Sequence, residues 1–484
     1  MSPCATAMLL LLAMATTTHS TFTKSKELHI LYAAQVQMAR ARTWASTSAG
    51  LQDLIDPPCV IALRDCIKLY SEGESRLSRM VDDVNSYTMH DALTWVSSVM
   101  TNHRTCMDGL RRKGYVLEAR ILGRNMTTML KQALAAYANN IDKVQELPQE
   151  TLSESSTNGL LASWNSETSN ADFTVAKDGS GTHKTISEAV KALAANNRPS
   201  RQVIYVKSGV YNEKVDIGAN LKNVMLVGDG IDKTIITGNK NANQGDSTIG
   251  SATFDVAGDG FWARDITFEN TAGPEGHQAV ALRVSADLSV FYKCSFKGYQ
   301  DTLLVDSNRQ FFRNCHIYGT IDFIFGDASV VFQSCDILLR KPINKQANYI
   351  TAQGRDDPNK PTGISIHSCQ VKPANDFSSS GDSTNNFLGR PWKKYSRTMF
   401  MKTNLDGLID PKGWSEWNGD FALSTLDYGE YLNTGSGAST QHRVNWPGFH
   451  VLSNDNEATP FSVNQFLQGE KWIPATGVPF SSGI

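Results

Sequence analysis

The chain has 484 residues, with 46 Lys and Arg against 48 Asp and Glu and a formal net charge of −2. That balance offers no basic field for a nucleic-acid partner, yet leaves room for an anionic substrate held by a few local cations. The length exceeds one ordinary domain and predicts two, each able to bury its own core.

Residues 1–20 contain an apolar run from Ala5 to Ala15, too short to span a bilayer and placed like the core of a secretion signal. A signal over 1–20 is expected, with no later membrane-spanning segment and so no stable membrane insertion; a buried N-terminal helix is the alternative. The eight cysteines (Cys4, Cys59, Cys66, Cys106, Cys294, Cys315, Cys335 and Cys369) are few for a disulfide scaffold, though export would permit bridges. Asn125-Met126-Thr127 fits a glycosylation acceptor.

Over residues 26–145 apolar residues recur at spacings of three and four. Leu93, Trp95, Val96, Val99, Met100, Cys106, Met107 and Leu110 share one helical face, and Pro57-Pro58 separates two such segments. A small all-α bundle is predicted. Residues 146–170, rich in Ser, Thr, Asn and Glu and without sustained periodicity, read as a linker.

From 171 to 484 the texture changes to short β-branched and aromatic runs cut by Gly, Asn and Asp, with one helical stretch, "TISEAVKALAANN", near the start. Aligning "FYKCSFKGYQD", "FRNCHIYGTID" and "FQSCDILL" on Cys294, Cys315 and Cys335 gives intervals of 21 and 20 residues, one coil of a β-solenoid. A parallel β-helix is favoured over a sandwich of hairpins, whose tight Asn-Gly or Asp-Gly turns would recur at shorter spacing than this interval.

Asp301 in "GYQDTLLV" and Asp322 in "GTIDFIF" occupy equivalent points of successive coils. Stacking would bring them within about 5 Å, where two carboxylates repel by roughly 3 kcal/mol at an effective dielectric near 20 and separate their titrations by about two pH units. One should hold its proton while the other is ionised, giving an acid beside a base or nucleophile. For one aspartate alone, a turn satisfied by backbone N–H groups is the commoner role. Gln300 adjoins Asp301, and Gln278 falls on roughly the preceding coil; their amides could donate to a developing oxyanion without adding charge. In "GRPW", Arg390 could hold a carboxylate by paired hydrogen bonds and Trp392 could carry a sugar ring.

At these residues the chain resembles plant pectin methylesterases (pectinesterases). "VAKDGSGTHKTI", "ARDITFENTAGPEGHQAVALRV", "CSFKGYQDTLLV", "IYGTIDFIFGDASVVFQ" and "FLGRPWKKYSRTMFM" carry the likeness over residues 171–484. The resemblance implies a right-handed parallel β-helix that hydrolyses the methyl ester of galacturonic acid units in pectin, in the cell wall, without metal or organic cofactor. By position it implies Asp322 as nucleophile, Asp301 as general acid/base, Gln278 and Gln300 as oxyanion donors, and Thr248, Gln278, Arg390 and Trp392 as substrate-site residues. Cys315 and Cys335 match the family's disulfide, and coil stacking independently makes them neighbours.

The helical region resembles the inhibitor-like domain that precedes many of these enzymes, through "ALRDCIKLYSEG" and "DALTWVSSVMTNHRTCMDGL"; that match implies a Cys66–Cys106 bridge. The family's first helical hairpin with its own cysteine pair is missing, Cys59 has no obvious partner, and the linker lacks a basic processing motif. These departures argue against autoinhibition and maturation, leaving a spacer or folding aid retained in the exported protein. The expected partners are methyl-esterified pectin and separate inhibitor proteins, and the chain is expected to act as a monomer. Rival readings are a pectin-backbone glycosidase, whose paired carboxyls can stand equally close, and a catalytically silent pectin-binding or inhibitor protein. The retained Gln, Gln, Asp, Asp, Arg and Trp set weighs against the silent protein.

Overall fold

The computed structural model describes residues 19–50, 57–84, 86–114, 116–140, 159–196, 198–343, 345–377 and 384–484. The expected signal up to residue 18 and the linker from 146 to 158 lie outside the described residues.

Four helices form the N-terminal bundle: α1 (His19–Gly50), α2 (Pro57–Asp82), α3 (Met89–Arg112) and α4 (Val116–Asn140). Each packs on the next, and α1 closes the ring against α4. Thr88 starts α3 with a reciprocal cap: its hydroxyl accepts from Asp91 N at 3.1 Å, while the Asp91 carboxylate accepts from Thr88 N at 2.9 Å. The Cys66–Cys106 disulfide ties α2 to α3, as the resemblance implies. Cys59 is a buried free thiol whose Sγ lies 3.4 Å from the Lys113 carbonyl. Asn125 is exposed on α4.

The rest is a right-handed parallel β-helix of three sheets with eleven, seven and eight strands among the described residues, every strand pair parallel. Phe291, Phe312 and Phe332 align on successive coils at the 21- and 20-residue intervals expected from sequence. Their rings stack through the interior with centroids 4.7 and 4.6 Å apart. Lys293, Asn314, Ser334 and Ser368, each preceding a cysteine, adopt left-handed φ near 52–54°, so each coil turns the same corner.

The Cys315–Cys335 bridge implied by the resemblance is not formed in this structure. Cys315 and Cys335 are free thiols, buried with Cys294 and Cys369 in an inward-facing ladder. A disulfide needs two side chains turned toward each other. Here the Cys315 and Cys335 sulfurs are hydrogen-bond partners of each other, and each also donates to a carbonyl: Cys315 to Phe291 at 3.4 Å and Cys335 to Phe312 at 3.6 Å.

Part of the expected linker is built into the β-helix. Leu161 and Trp164 are buried in a cluster with Ile473 and Val478, and Arg264 donates to the Leu161 and Ala162 carbonyls at 3.0 and 2.8 Å.

The bundle lies against the seven-stranded sheet. Val215–Ile217, Phe254–Val256, Leu282–Val284, Leu303–Val305, Ile324–Gly326 and Asn348–Gln353 align Asp216, Asp255, Arg283, Leu304, Phe325 and Ala352 in one outward row. The apolar half of that row, Leu304, Phe325 and Ala352, joins the bundle's own core. In the charged half, Arg283 is wholly buried between Glu72 of α2 and the carboxylates of Asp255 and Asp306. Arg309 bridges Asp91 at 2.6 Å and Asp287 at 2.7 Å, and Arg76 meets Asp259 at 2.7 Å. The spacer expected from sequence is therefore a docked domain.

Candidate active site

Asp301 and Asp322 each stand two residues before a strand of the seven-stranded sheet, in the same left-handed turn, with φ of 62° and 52°. Aspartate tolerates that conformation better than most side chains, and the strain is held by coil-to-coil hydrogen bonds: Asp301 N donates to Ile321 O at 3.0 Å and Thr320 N to Tyr299 O at 2.9 Å. The glycines three residues upstream are needed for close approach. A Cβ on Gly298 would fall 2.7 Å from Thr302 Oγ1, and one on Gly319 would fall 2.2 Å from Phe323 Cβ. The repeated Gly-x-x-Asp spacing is thus a turn requirement as well as a placement of carboxyls.

Both carboxyls are buried, at 7 % and 6 % exposure. Arg390 Nε donates to Asp322 Oδ1 at 2.8 Å and its terminal nitrogen to Oδ2 at 2.6 Å. Burial pushes Asp322 above the ordinary carboxylate value, and Arg390 opposes the rise. Asp301 is pushed well above that value by burial and then by the Asp322 charge, with Arg390 and Arg112 offsetting only part. The sequence-level expectation of one protonated and one ionised carboxyl has this cause: the two aspartates share a fold position, and Arg390 is bonded to only one of them.

A cavity of about 520 Å³ brings Asp301, Asp322, Gln278, Gln300, Thr248, Arg390 and Trp392 together. The Ala279 amide donates to the Gln300 carbonyl at 3.2 Å, which sets Gln278 on the coil before Gln300. Thr248 sits in a turn whose carbonyl accepts from Ser251 Oγ at 2.7 Å. Trp392 stands edge-on to Phe325, with centroids 6.1 Å apart.

The opposite wall comes from the bundle: Asp65 of α2, and Arg104, Asp108 and Arg112 of α3. Arg104 lies 5.7 Å from the Trp392 ring and donates to the Gly354 carbonyl at 2.6 Å. Lys393, next to Trp392, pairs with Asp108 at 2.7 Å. Sequence reasoning missed these residues because polar positions on α3 read as a solvent-facing stripe. It also missed Tyr349 and Trp417, which touch Arg390; Tyr349 follows Asp322 on the next coil, but at an interval of 349 − 322 = 27 residues rather than 21, and Trp417 lies on a loop outside the coils.

Comparison with known proteins gives the following likenesses. The family profile described as "Pectinesterase" matches residues 172–470, and that described as "Plant invertase/pectin methylesterase inhibitor" matches residues 10–160. The chain is 50 % identical over 499 aligned residues to "Probable pectinesterase/pectinesterase inhibitor 36" of Arabidopsis thaliana, covering 96 % of each. It is also 50 % identical to "Pectinesterase 2" of Citrus sinensis, covering 87 % of this chain and 82 % of that one. Among solved structures, "Pectin methylesterase from Carrot" matches with a TM-score of 0.65 at 52 % identity, over 66 % of this chain and all of that one.

Proposed function

Since this chain belongs to the pectinesterase family and hydrolyses the methyl esters of pectin, we propose that Asp322 is its nucleophile and Asp301 its general acid and base. The observation that carries the assignment is the asymmetry between the two carboxyls: Arg390 engages both oxygens of Asp322, whereas burial and the neighbouring charge favour the protonated form of Asp301.

Ionised Asp322 attacks the ester carbonyl, and the amides of Gln278 and Gln300 donate to the tetrahedral oxyanion. As the C–O bond to the methoxy group breaks, Asp301 gives its proton to the departing methanol. Asp301, now a carboxylate, takes a proton from water as that water attacks the acyl carbon, which frees Asp322 and leaves the galacturonate carboxylate. Thr248 and Trp392 hold the sugar chain, and Arg390 keeps Asp322 ionised and aimed. The inhibitor-like region is taken as 26–145 and the catalytic region as 171–484. We further propose export to the cell wall, glycosylation at Asn125, and action as a monomer; among the described residues no helix is long and apolar enough to cross a membrane.

The test is methanol release from highly methylated pectin by the full chain, with reducing ends counted in parallel, for wild type and Asp322→Asn. Methanol without new reducing ends, lost in the variant, is expected. New reducing ends would move the reaction to backbone cleavage.

A second reading concerns the bundle and rests on Arg104, which lies over the Trp392 ring proposed to carry sugar. With α2 and α3 across the cleft, the docked form restricts a polymer chain, so methanol release by the full chain runs through the fraction whose bundle has undocked. Separate inhibitor proteins would use the same face.

A further inference from the structure

The Arg390 guanidinium is flanked by two aromatic rings. Its central carbon lies 3.9 Å from the Tyr349 centroid and 4.5 Å from the Trp417 centroid. Tyr349 is backed by Phe387, its register partner on the adjacent strand, with centroids 5.6 Å apart and planes within 13°. Trp417 is delivered by a loop pinned directly beside Arg390: Leu388 N donates to Gly413 O at 2.7 Å, and Ser415 N to Gly389 O at 3.1 Å.

All five N–H donors of a guanidinium lie in its plane, and its faces are weakly hydrated. Two rings this close to the central carbon restrict how the group can tilt, while its edge bonds both oxygens of Asp322. A lysine or an unclamped arginine could supply charge there but could not hold a two-point geometry against a reacting carboxylate.

We infer that Trp417, acting with Tyr349, is a positioning residue for ester hydrolysis, holding the Arg390 plane so that Asp322 stays ionised and directed at the substrate. This rests on the reading of Asp322 as nucleophile. The charged and titratable groups around the pair are Arg390, Asp301 and Tyr428 on the β-helix, with Arg112 of α3 acting on Asp301 from the bundle. None but Arg390 bonds to Asp322 directly, so loosening its plane removes the main counterweight to burial. A ring that served only as a sugar platform would instead govern substrate affinity.

The experiment uses the full chain as wild type, Trp417→Leu, Trp417→Phe and Tyr349→Leu. The carboxyl ¹³C signal of Asp322, assigned by its loss in Asp322→Asn, is titrated, and methanol release from pectin is followed across pH. Trp417→Leu should move the Asp322 midpoint and the acid limb of kcat upward by about one pH unit, which is about tenfold in rate at a fixed pH on that limb. Trp417→Phe should restore both, and Tyr349→Leu should move them in the same direction. An unmoved midpoint in Trp417→Leu and Tyr349→Leu, with only KM raised, overturns the inference and leaves the nucleophile assignment standing. Unimpaired methanol release by Asp322→Asn overturns that assignment instead.

Discussion

Glu72 on α2 accepts a hydrogen bond from each terminal nitrogen of Arg283, both at 2.9 Å, and Arg283 has no exposed surface. The bundle thus reaches the β-helix through a two-point charge contact beside Leu304, in the middle of the same outward row that carries Leu304 and Phe325 into its core.

Losing one partner of a buried ion pair costs about 3–5 kcal/mol when the other charge stays buried. Arg283 keeps Asp255 and Asp306 and can open to water, so the penalty of Glu72→Arg should fall on docking and leave the β-helix intact. Hydrogen exchange is expected to rise across Leu282–Val284 and Leu303–Val305, and methanol release from pectin to increase. Unchanged exchange and unchanged release would remove the closed-form reading.

The raised Asp301 carboxyl makes a prediction about stability. A carboxyl whose folded value lies above its ordinary one adds stability that is fully present below the ordinary value and is lost as pH rises through the raised one. Asp301→Asn carries no such loss, so its Tm should exceed the wild-type Tm by a margin that widens as pH rises from the ordinary carboxyl value toward the raised one, while methanol release falls by about 10²–10⁴-fold. In wild type the acid limb of kcat/KM should report Asp322, above the ordinary carboxylate range, and the alkaline limb Asp301. A margin independent of pH would show that Asp301 is not held protonated.

Asp65 gives docking its own pH dependence. Half-buried in the wall of the cavity, it is pushed up to about 6 by burial, against a Ser247 hydrogen bond and the charges of Arg283, Lys214 and Lys68. Its contribution to docking is full below the ordinary carboxyl value and disappears as pH rises through about 6. Exchange in the Ser247–Thr248 turn should quicken across that range in wild type and stay level in Asp65→Asn.

The cysteine ladder is directly checkable. Alkylation after denaturation without reductant should label Cys315 and Cys335 and spare Cys66 and Cys106. A cross-linked peptide joining Cys315 to Cys335 would instead establish the pairing that the family resemblance implies. Cys66→Ser should lower bundle stability by about 2–5 kcal/mol, seen as a lower Tm.

The coil repeat was readable from sequence because it is a period: Phe291, Phe312 and Phe332 stack where the cysteine spacing puts them, and the two aspartates follow from the same register. What the repeat could not reveal is bonding. Cys315 and Cys335 are neighbours, as spacing required, but a 20-residue interval does not say whether neighbouring thiols are joined. Trp417 and Tyr349 were hidden for a related reason. They meet at Arg390 through a pinned loop and a strand 417 − 349 = 68 positions apart, with no interval to betray the contact. The roof of the cavity was least legible, since Arg104 and Asp108 look like ordinary surface residues until α3 is set against the cleft.

The docked bundle also bears on the order in which the molecule is made. Residues 57–140 leave the ribosome before any strand they touch, and helices joined by short loops complete their contacts quickly, whereas each coil of the β-helix must wait for residues some twenty positions later. A finished helical surface, presenting Glu72, Asp91 and the apolar stripe of α3, is then waiting when Arg283, Arg309 and Leu304 emerge. The growing β-helix meets a template that pairs its buried arginines and covers its apolar row while later coils are still unsynthesised. The domain that lines one wall of the finished cleft is thereby also the first shelter for the surface around it.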